Sequence, residues 1–217
     1  MKVVTIAAAK GGSGKTTVAL SLAARATQDA MNVAMFDLNG DQGDLTKWWI
    51  LRGEPMTPRI IDVENIRQDV AVLRESKRWD LLVVDCPPLD LDVIESAVIE
   101  SDLVIVPCRP GFFDVDAVTP IVEICQRRKR EYAFLLTAVD SKMPKLVETA
   151  MAALVSDGPI LGTRLRYLQP YIQSLMKGRT ASEIDRNCQG EIDNLWNEVK
   201  RLMSKQAPLS VVRGGRA

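Results

Sequence analysis

Lys10-Gly11-Gly12-Ser13-Gly14-Lys15-Thr16-Thr17 holds three glycines and two lysines within eight residues. Gly11, Gly12 and Gly14 let the backbone turn tightly, so that several N–H groups can converge on one anion. The preceding residues 2–9, KVVTIAAA, are apolar on both faces apart from Thr5, the pattern of a fully buried strand. Residues 14–28, rich in Ala and Leu, read as a helix, and its N-terminus brings the positive end of a dipole to the same place. A strand, a glycine turn and a helix in this order are the context a phosphate loop requires. Lys15 stands where it can neutralise β- and γ-phosphates, and Thr16 where its hydroxyl can reach magnesium. The residues expected to hold a nucleotide are therefore Gly11, Gly12, Ser13, Gly14, Lys15, Thr16 and Thr17.

Beyond this loop, strands and helices alternate. Residues 32–38 form a second buried strand that ends in Asp37, followed by the polar turn Asn39-Gly40-Asp41-Gln42-Gly43-Asp44. A helix is expected over 63–77, and a strand over 80–85 that Pro87-Pro88 stops. Further strands are expected over 102–107 and 132–138, with a short one at 159–161, and helices over 114–130, 144–156 and 181–205. This order predicts one α/β domain over 1–205, a doubly wound, mostly parallel sheet with helices on both faces. The tail 206–217 is expected to be flexible.

Composition narrows the chemistry. With 47% hydrophobic and 26% charged residues among 217, the chain reads as an ordinary soluble domain. The N-terminal apolar run is brief and passes straight into the loop, so it reads as a strand rather than a signal peptide, and a cytoplasmic location is expected. Histidine is absent, which removes Ser-His-Asp and Cys-His catalysis and histidine metal sites together. Cys86, Cys108, Cys125 and Cys188 form no CxxC pair and read as free buried thiols. Net charge is zero, yet residues 1–100 hold 11 basic against 15 acidic side chains and residues 101–217 hold 17 against 13. A basic half suits a polyanion such as DNA, and solvated helix faces account for it equally well.

A usual Walker A loop has glycine five residues before Gly14, where this chain has Ala9; beside it stands a second lysine, Lys10. KGGSGKTT resembles the deviant Walker A motif of the ParA/MinD family of ATPases. LLVVDCPP (81–88) is similar to the family's Walker B strand, and VIVPCRPGFFDVDAV (104–118) and LLTAVDSK (135–142) to its segments near the adenine. RLRYLQPYIQSLMKGRTASEID (164–185) resembles a late segment, so the similarity spans most of the chain. The resemblance implies ATP and Mg2+ as cofactors, Asp85 and Asp37 beside the metal with Thr16, and Pro107 and Thr137 near the base. It also implies a homodimer formed on ATP binding in which Lys10 reaches the partner's nucleotide. A contact of Lys10 to its own phosphates, or a merely exposed lysine, is the alternative reading.

The family usually carries D-x-D-P-Q after the second strand; here the run is Asp37-Leu38-Asn39-Gly40-Asp41-Gln42. The second carboxylate, which orients the attacking water, is replaced by Asn39 or displaced to Asp41. Asn39 can hydrogen-bond water but cannot accept its proton, whereas Asp41 can do either, so Asp41 ranks above Asn39. The short length resembles small ParA proteins, which position plasmids, chromosomes or other cargo. This implies nucleoid association, non-specific DNA binding and a ParB-like or other activating partner. Arg127-Arg128-Lys129-Arg130 could serve that surface or merely complement a helix C-terminus; Lys142, Lys145, Arg164, Arg166, Lys177, Arg179, Lys200, Arg201 and Lys205 are further basic positions. Trp48-Trp49 reads as one packed and one partly exposed indole, with a partner or nucleobase contact as the alternative. Two other functions compete: a MinD-like membrane switch and a metabolic P-loop enzyme. The first is disfavoured because Pro208, Gly214 and Gly215 make the final residues a poor interfacial helix, while Ile192, Leu195, Val199 and Leu202 read as a core-facing stripe. The second lacks any marker of a substrate pocket.

Overall fold

The computed structural model describes residues 1–40 and 43–204; Asp41, Gln42 and the expected tail 206–217 lie outside the described residues. Seven strands form one sheet: β1 (Lys2–Ile6), β2 (Val33–Asp37), β3 (Arg59–Ile60), β4 (Leu81–Asp85), β5 (Leu103–Cys108), β6 (Tyr132–Val139) and β7 (Ile160–Arg166). Their order is β3-β2-β4-β1-β5-β6-β7, and every pairing is parallel. The helices are α1 (Lys15–Gln28), α2 (Asp44–Leu51), α3 (Ile66–Glu75), α4 (Leu91–Glu100), α5 (Phe112–Asp116), α6 (Thr119–Arg128), α7 (Pro144–Leu154), α8 (Pro170–Gln173) and α9 (Arg186–Met203).

The apolar strands make sense because the sheet is covered on both faces. Val4 and Ile6 of β1 join a core with α1 and α9, while Val3 on the opposite face joins Val70, Ile94, Ile121 and Leu154 of α3, α4, α6 and α7. The stripe of α9 faces inward, with Ile192, Leu195, Trp196 and Val199 fully buried. Trp48 is buried and its Nε1 donates to Arg179 O at 3.1 Å; Trp49 is half-buried and donates to Pro55 O at 3.2 Å.

Several elements differ from expectation for identifiable reasons. The helix expected over 114–130 is two, because Pro120 sits in the first turn of α6, where a missing N–H is tolerated, and cannot continue a helix from α5. The helices α2 and α4 were not foreseen. Within α4, the β-branched residues Val93, Ile94, Val98 and Ile99 lower helix propensity. Burial of Ile94, Ala97 and Val98 outweighs that, and Asp90 Oδ1 caps the start by accepting from Val93 N at 3.1 Å. The short strand at 159–161 extends to Arg166, because alternate residues Leu161, Thr163 and Leu165 are buried while charged ones face out. Finally, α9 begins at Arg186, where Asp185 accepts from Asn187 N and Cys188 N; residues 181–183 form a separate 3-10 turn closed by a capping box between Thr180 and Glu183.

Candidate functional site

Parallel register decides where the candidate residues meet. Asp85 pairs with Ile6 of β1 on one side and with Asp37 of β2 on the other. The phosphate loop, Asp37 and Asp85 therefore lie together at the C-terminal ends of three adjacent strands, where ligands of open α/β sheets sit.

Gly14 is the N-cap of α1, with φ +94°, and it permits the loop to run into the helix. Gly12 is also left-handed, at φ +72°. Ser13 is buried, and its carbonyl accepts 2.7 Å from Thr137 Oγ1 at the end of β6. Thr137 thus holds the loop itself. Lys15 is buried and its Nζ donates to Lys10 O at 3.3 Å, folding its ammonium back over the loop. Burial lowers the Lys15 pKa from its usual value, and the nearby Asp85 works the other way.

Thr16 Oγ1 donates 2.6 Å to Asp85 Oδ2. Asp85 is fully buried, and that burial pushes its pKa up to about 7, with Asp37 adding repulsion and the Thr16 hydroxyl opposing the shift. Its other oxygen, Oδ1, is buried without a hydrogen-bond partner among the described residues. Such an orphaned carboxylate oxygen, beside a threonine hydroxyl, is the hard oxygen donor set that a magnesium ion or its water shell satisfies. Asp37 Oδ2 accepts from Thr46 N at 2.8 Å and Thr46 Oγ1 at 3.0 Å, so the first turn of α2 orients it. Asn39 stands over both acids, its Nδ2 3.4 Å from Asp85 Oδ2 and 3.5 Å from Asp37 Oδ1.

A family model for the CobQ/CobB/MinD/ParA nucleotide-binding domain matches residues 4–181. The chain belongs to this family. Among relatives, the maintenance of carboxysome distribution protein A of Halothiobacillus neapolitanus is 27% identical over 213 residues, covering 91% of this chain and 97% of that protein. The chromosome-partitioning ATPase Soj of Thermus thermophilus is 25% identical over 175 residues, covering 64% of this chain and 70% of that protein. Among solved structures, the MinD cell division protein of Aquifex aeolicus superposes with a TM-score of 0.75 at 18% identity, covering 97% of this chain and 100% of that one. Members of the CobQ/CobB/MinD/ParA family of the ParA/MinD type are ATPases that take ATP with Mg2+, and this chain carries the lysine and threonine that chemistry uses in its loop and the carboxylates Asp37 and Asp85 at the neighbouring strand ends.

Within this family frame, the remaining candidates fall into two groups. Gly11, Thr17 and Pro107 stand at the loop or at strand β5 beside it; Pro107 lines a cavity of about 10 Å³ with Ala8, Lys10, Ser13 and Arg109. Lys10 departs from the others. Its ammonium pairs with Asp114 Oδ1 at 2.9 Å. Asp41, the group expected to orient water, lies outside the described residues. Sequence reasoning missed Thr46, which orients Asp37, and gave Asp114 no role although it lies in the quoted 104–118 segment. A threonine early in an unforeseen helix carries no pattern of its own, and a carboxylate 104 positions from its lysine becomes legible only when β1 and β5 pair.

Proposed function

We propose that this chain is a cargo-positioning ATPase of the ParA type. ATP closes a homodimer, the dimer binds DNA without sequence preference, and a ParB-like or other partner protein stimulates hydrolysis and release. The observation that carries this reading is the division of labour between two lysines: Lys15 folds back over its own loop, while Lys10 pairs with Asp114. A second cation beside the loop that pairs with another carboxylate suits a nucleotide held by another copy.

Thr16, Asp85 and Asp37 are the residues that would hold magnesium, which when bound supplies charge neutralisation on the terminal phosphates. Lys15 and the N–H groups from Gly11 to Thr17 bind and orient the triphosphate. Asp41, with Asn39 as the alternative, aligns the attacking water. Slow turnover needs only this positioning and charge stabilisation.

Cargo positioning is supported by similarity along nearly the whole length to a carboxysome-distribution protein. For the DNA surface, Arg127 and Arg128 are engaged by Glu95, Arg166 by Glu191 and Lys200 by Asp29. Lys142, Lys145, Lys177 and Arg201 make no ion pair among the described residues, so they are the favoured phosphate contacts. A membrane role is disfavoured because the apolar stripe of α9 is consumed by the core, and no described helix is long and apolar enough to cross a membrane.

Light scattering with ATP and Mg2+ should report dimers, and those dimers should sediment with DNA and not with liposomes. Retention should fall with salt, with a log–log slope of roughly −0.9 per phosphate neutralised. Retention indifferent to salt, sedimentation with liposomes instead of DNA, or transfer of phosphate to a small acceptor would each overturn the proposal.

A further inference from the structure

We propose that Arg109 is a further phosphate ligand for the nucleotide of its own subunit, gripping the polyphosphate on the flank opposite the magnesium carboxylates. The proposal concerns nucleotide binding by one copy and does not depend on dimer closure or on DNA.

Strand order sets the geometry. β1 lies between β4 and β5, so the loop that leaves β1 has Asp85 on one side and, beyond it, Asp37 of β2. Arg109 directly follows β5 and stands on the other side. There its guanidinium rests against the loop: a Cβ built on Gly12 would stand 3.5 Å from Arg109 Nη2 and 3.8 Å from Cζ. Gly12 belongs to the turn whose N–H groups form the anion seat. A phosphate chain held by that turn has the metal ligands on one flank and this guanidinium on the other.

The side chain is unengaged while its backbone is fixed. Arg25, Arg52, Arg127, Arg128 and Arg166 are each taken up by a carboxylate. Arg109 is exposed, and among the described residues its guanidinium makes neither an ion pair nor a hydrogen bond; only its carbonyl is used, accepting from Cys108 Sγ at 3.2 Å. The neighbours on both sides, Cys108 and Pro110, are buried. Pro110 fixes its own φ and holds the backbone of Arg109 away from the helical region. A flexible side chain thus springs from an immobile point beside the loop.

Charge explains the need. Lys10 is paired with Asp114, and Lys15 Nζ already donates to the Lys10 carbonyl. Among these three cations, Arg109 alone keeps every donor free. A triphosphate with one magnesium ion still carries surplus negative charge, more than Lys15 alone neutralises. The planar guanidinium can place two parallel N–H bonds on phosphate oxygens, which a lysine cannot.

The experiment is equilibrium dialysis with a radiolabelled non-hydrolysable ATP analogue and Mg2+, at protein concentrations where light scattering shows monomers. Arg109→Gln removes the charge at similar length, Arg109→Lys keeps charge without the fork, and Arg67→Gln removes an exposed charge from α3. Lys15→Ala is the control for the seat itself. Arg109→Gln should weaken binding about ten- to a hundred-fold, the loss expected for charge-assisted hydrogen bonds. Arg109→Lys should recover part of that, Arg67→Gln should bind like wild type, and all three should melt like wild type without nucleotide. Wild-type affinity in Arg109→Gln, or an equal loss in Arg67→Gln, overturns the proposal. So does a defect that appears only when dimers form, which would assign Arg109 to a second copy's nucleotide. Wild-type affinity in Lys15→Ala would remove the phosphate seat, and Arg109 as its ligand with it.

Discussion

Thr16 Oγ1 and Asp85 Oδ2 stand 2.6 Å apart, joining the first turn of α1 to the end of β4. This bond ties the phosphate loop to the one fully buried carboxylate at the strand ends, and it leaves Asp85 Oδ1 without a partner among the described residues.

A pH dependence follows. Burial raises the Asp85 pKa to about 7. Between the unfolded carboxylate value of about 4 and that figure, the folded chain holds a proton that the unfolded chain has released. Stability from this group is therefore full below about pH 4, falls as pH rises across the window and levels off above it. In EDTA, Asp85→Asn should melt close to wild type at the acid end and above it at pH 8. It should also lose the magnesium-dependent thermal shift seen with ATP. Parallel melting curves across the window would contradict the burial argument.

Gly14→Ala isolates the backbone. An added Cβ would meet nothing closer than 3.7 Å, the side chain of Thr137, so space is available. The φ of +94° is the obstacle, and forcing a left-handed alanine should cost about 1–2 kcal/mol. Urea titration should show that loss, and calorimetry should show weakened ATP binding, because relieving the strain turns the loop N–H groups away.

Asp41→Ala should abolish turnover and preserve ATP-dependent dimers, since water alignment is needed for hydrolysis and not for closure. Single-turnover hydrolysis alongside light scattering checks both halves. Wild-type turnover in Asp41→Ala, with loss in Asn39→Ala, would transfer the role to Asn39.

Arg52 joins α2 to the segment before α9. Its guanidinium makes a bidentate pair with Glu183 at 2.6 and 2.9 Å, donates to Gly178 O at 3.1 Å and lies 5.1 Å from the Trp48 ring centroid. Arg52→Ala leaves Glu183, a half-sheltered carboxylate, without its fork, and should destabilise by about 2–3 kcal/mol in urea unfolding. Arg52→Lys should recover only part of this, because a point charge cannot reproduce the fork.

Local chemistry was legible: a glycine-rich turn between a buried strand and an Ala-rich helix, Asp37 and Asp85 at strand ends, and free thiols in a chain lacking histidine. These features depend on neighbours a few residues away, and the doubly wound sheet follows from their alternation. By contrast, α4 was hidden because its β-branched residues oppose a helix, and only packing against the sheet reverses the balance. A phosphate seat and the strands that frame it were legible from residues adjacent in the chain. Only the folded sheet brings together the groups that meet there: Thr46 on Asp37, Thr137 on the Ser13 carbonyl and Asp114 on Lys10. Each of the last two pairs is separated by more than a hundred positions, and parallel register brings them within hydrogen-bonding reach where chain proximity cannot.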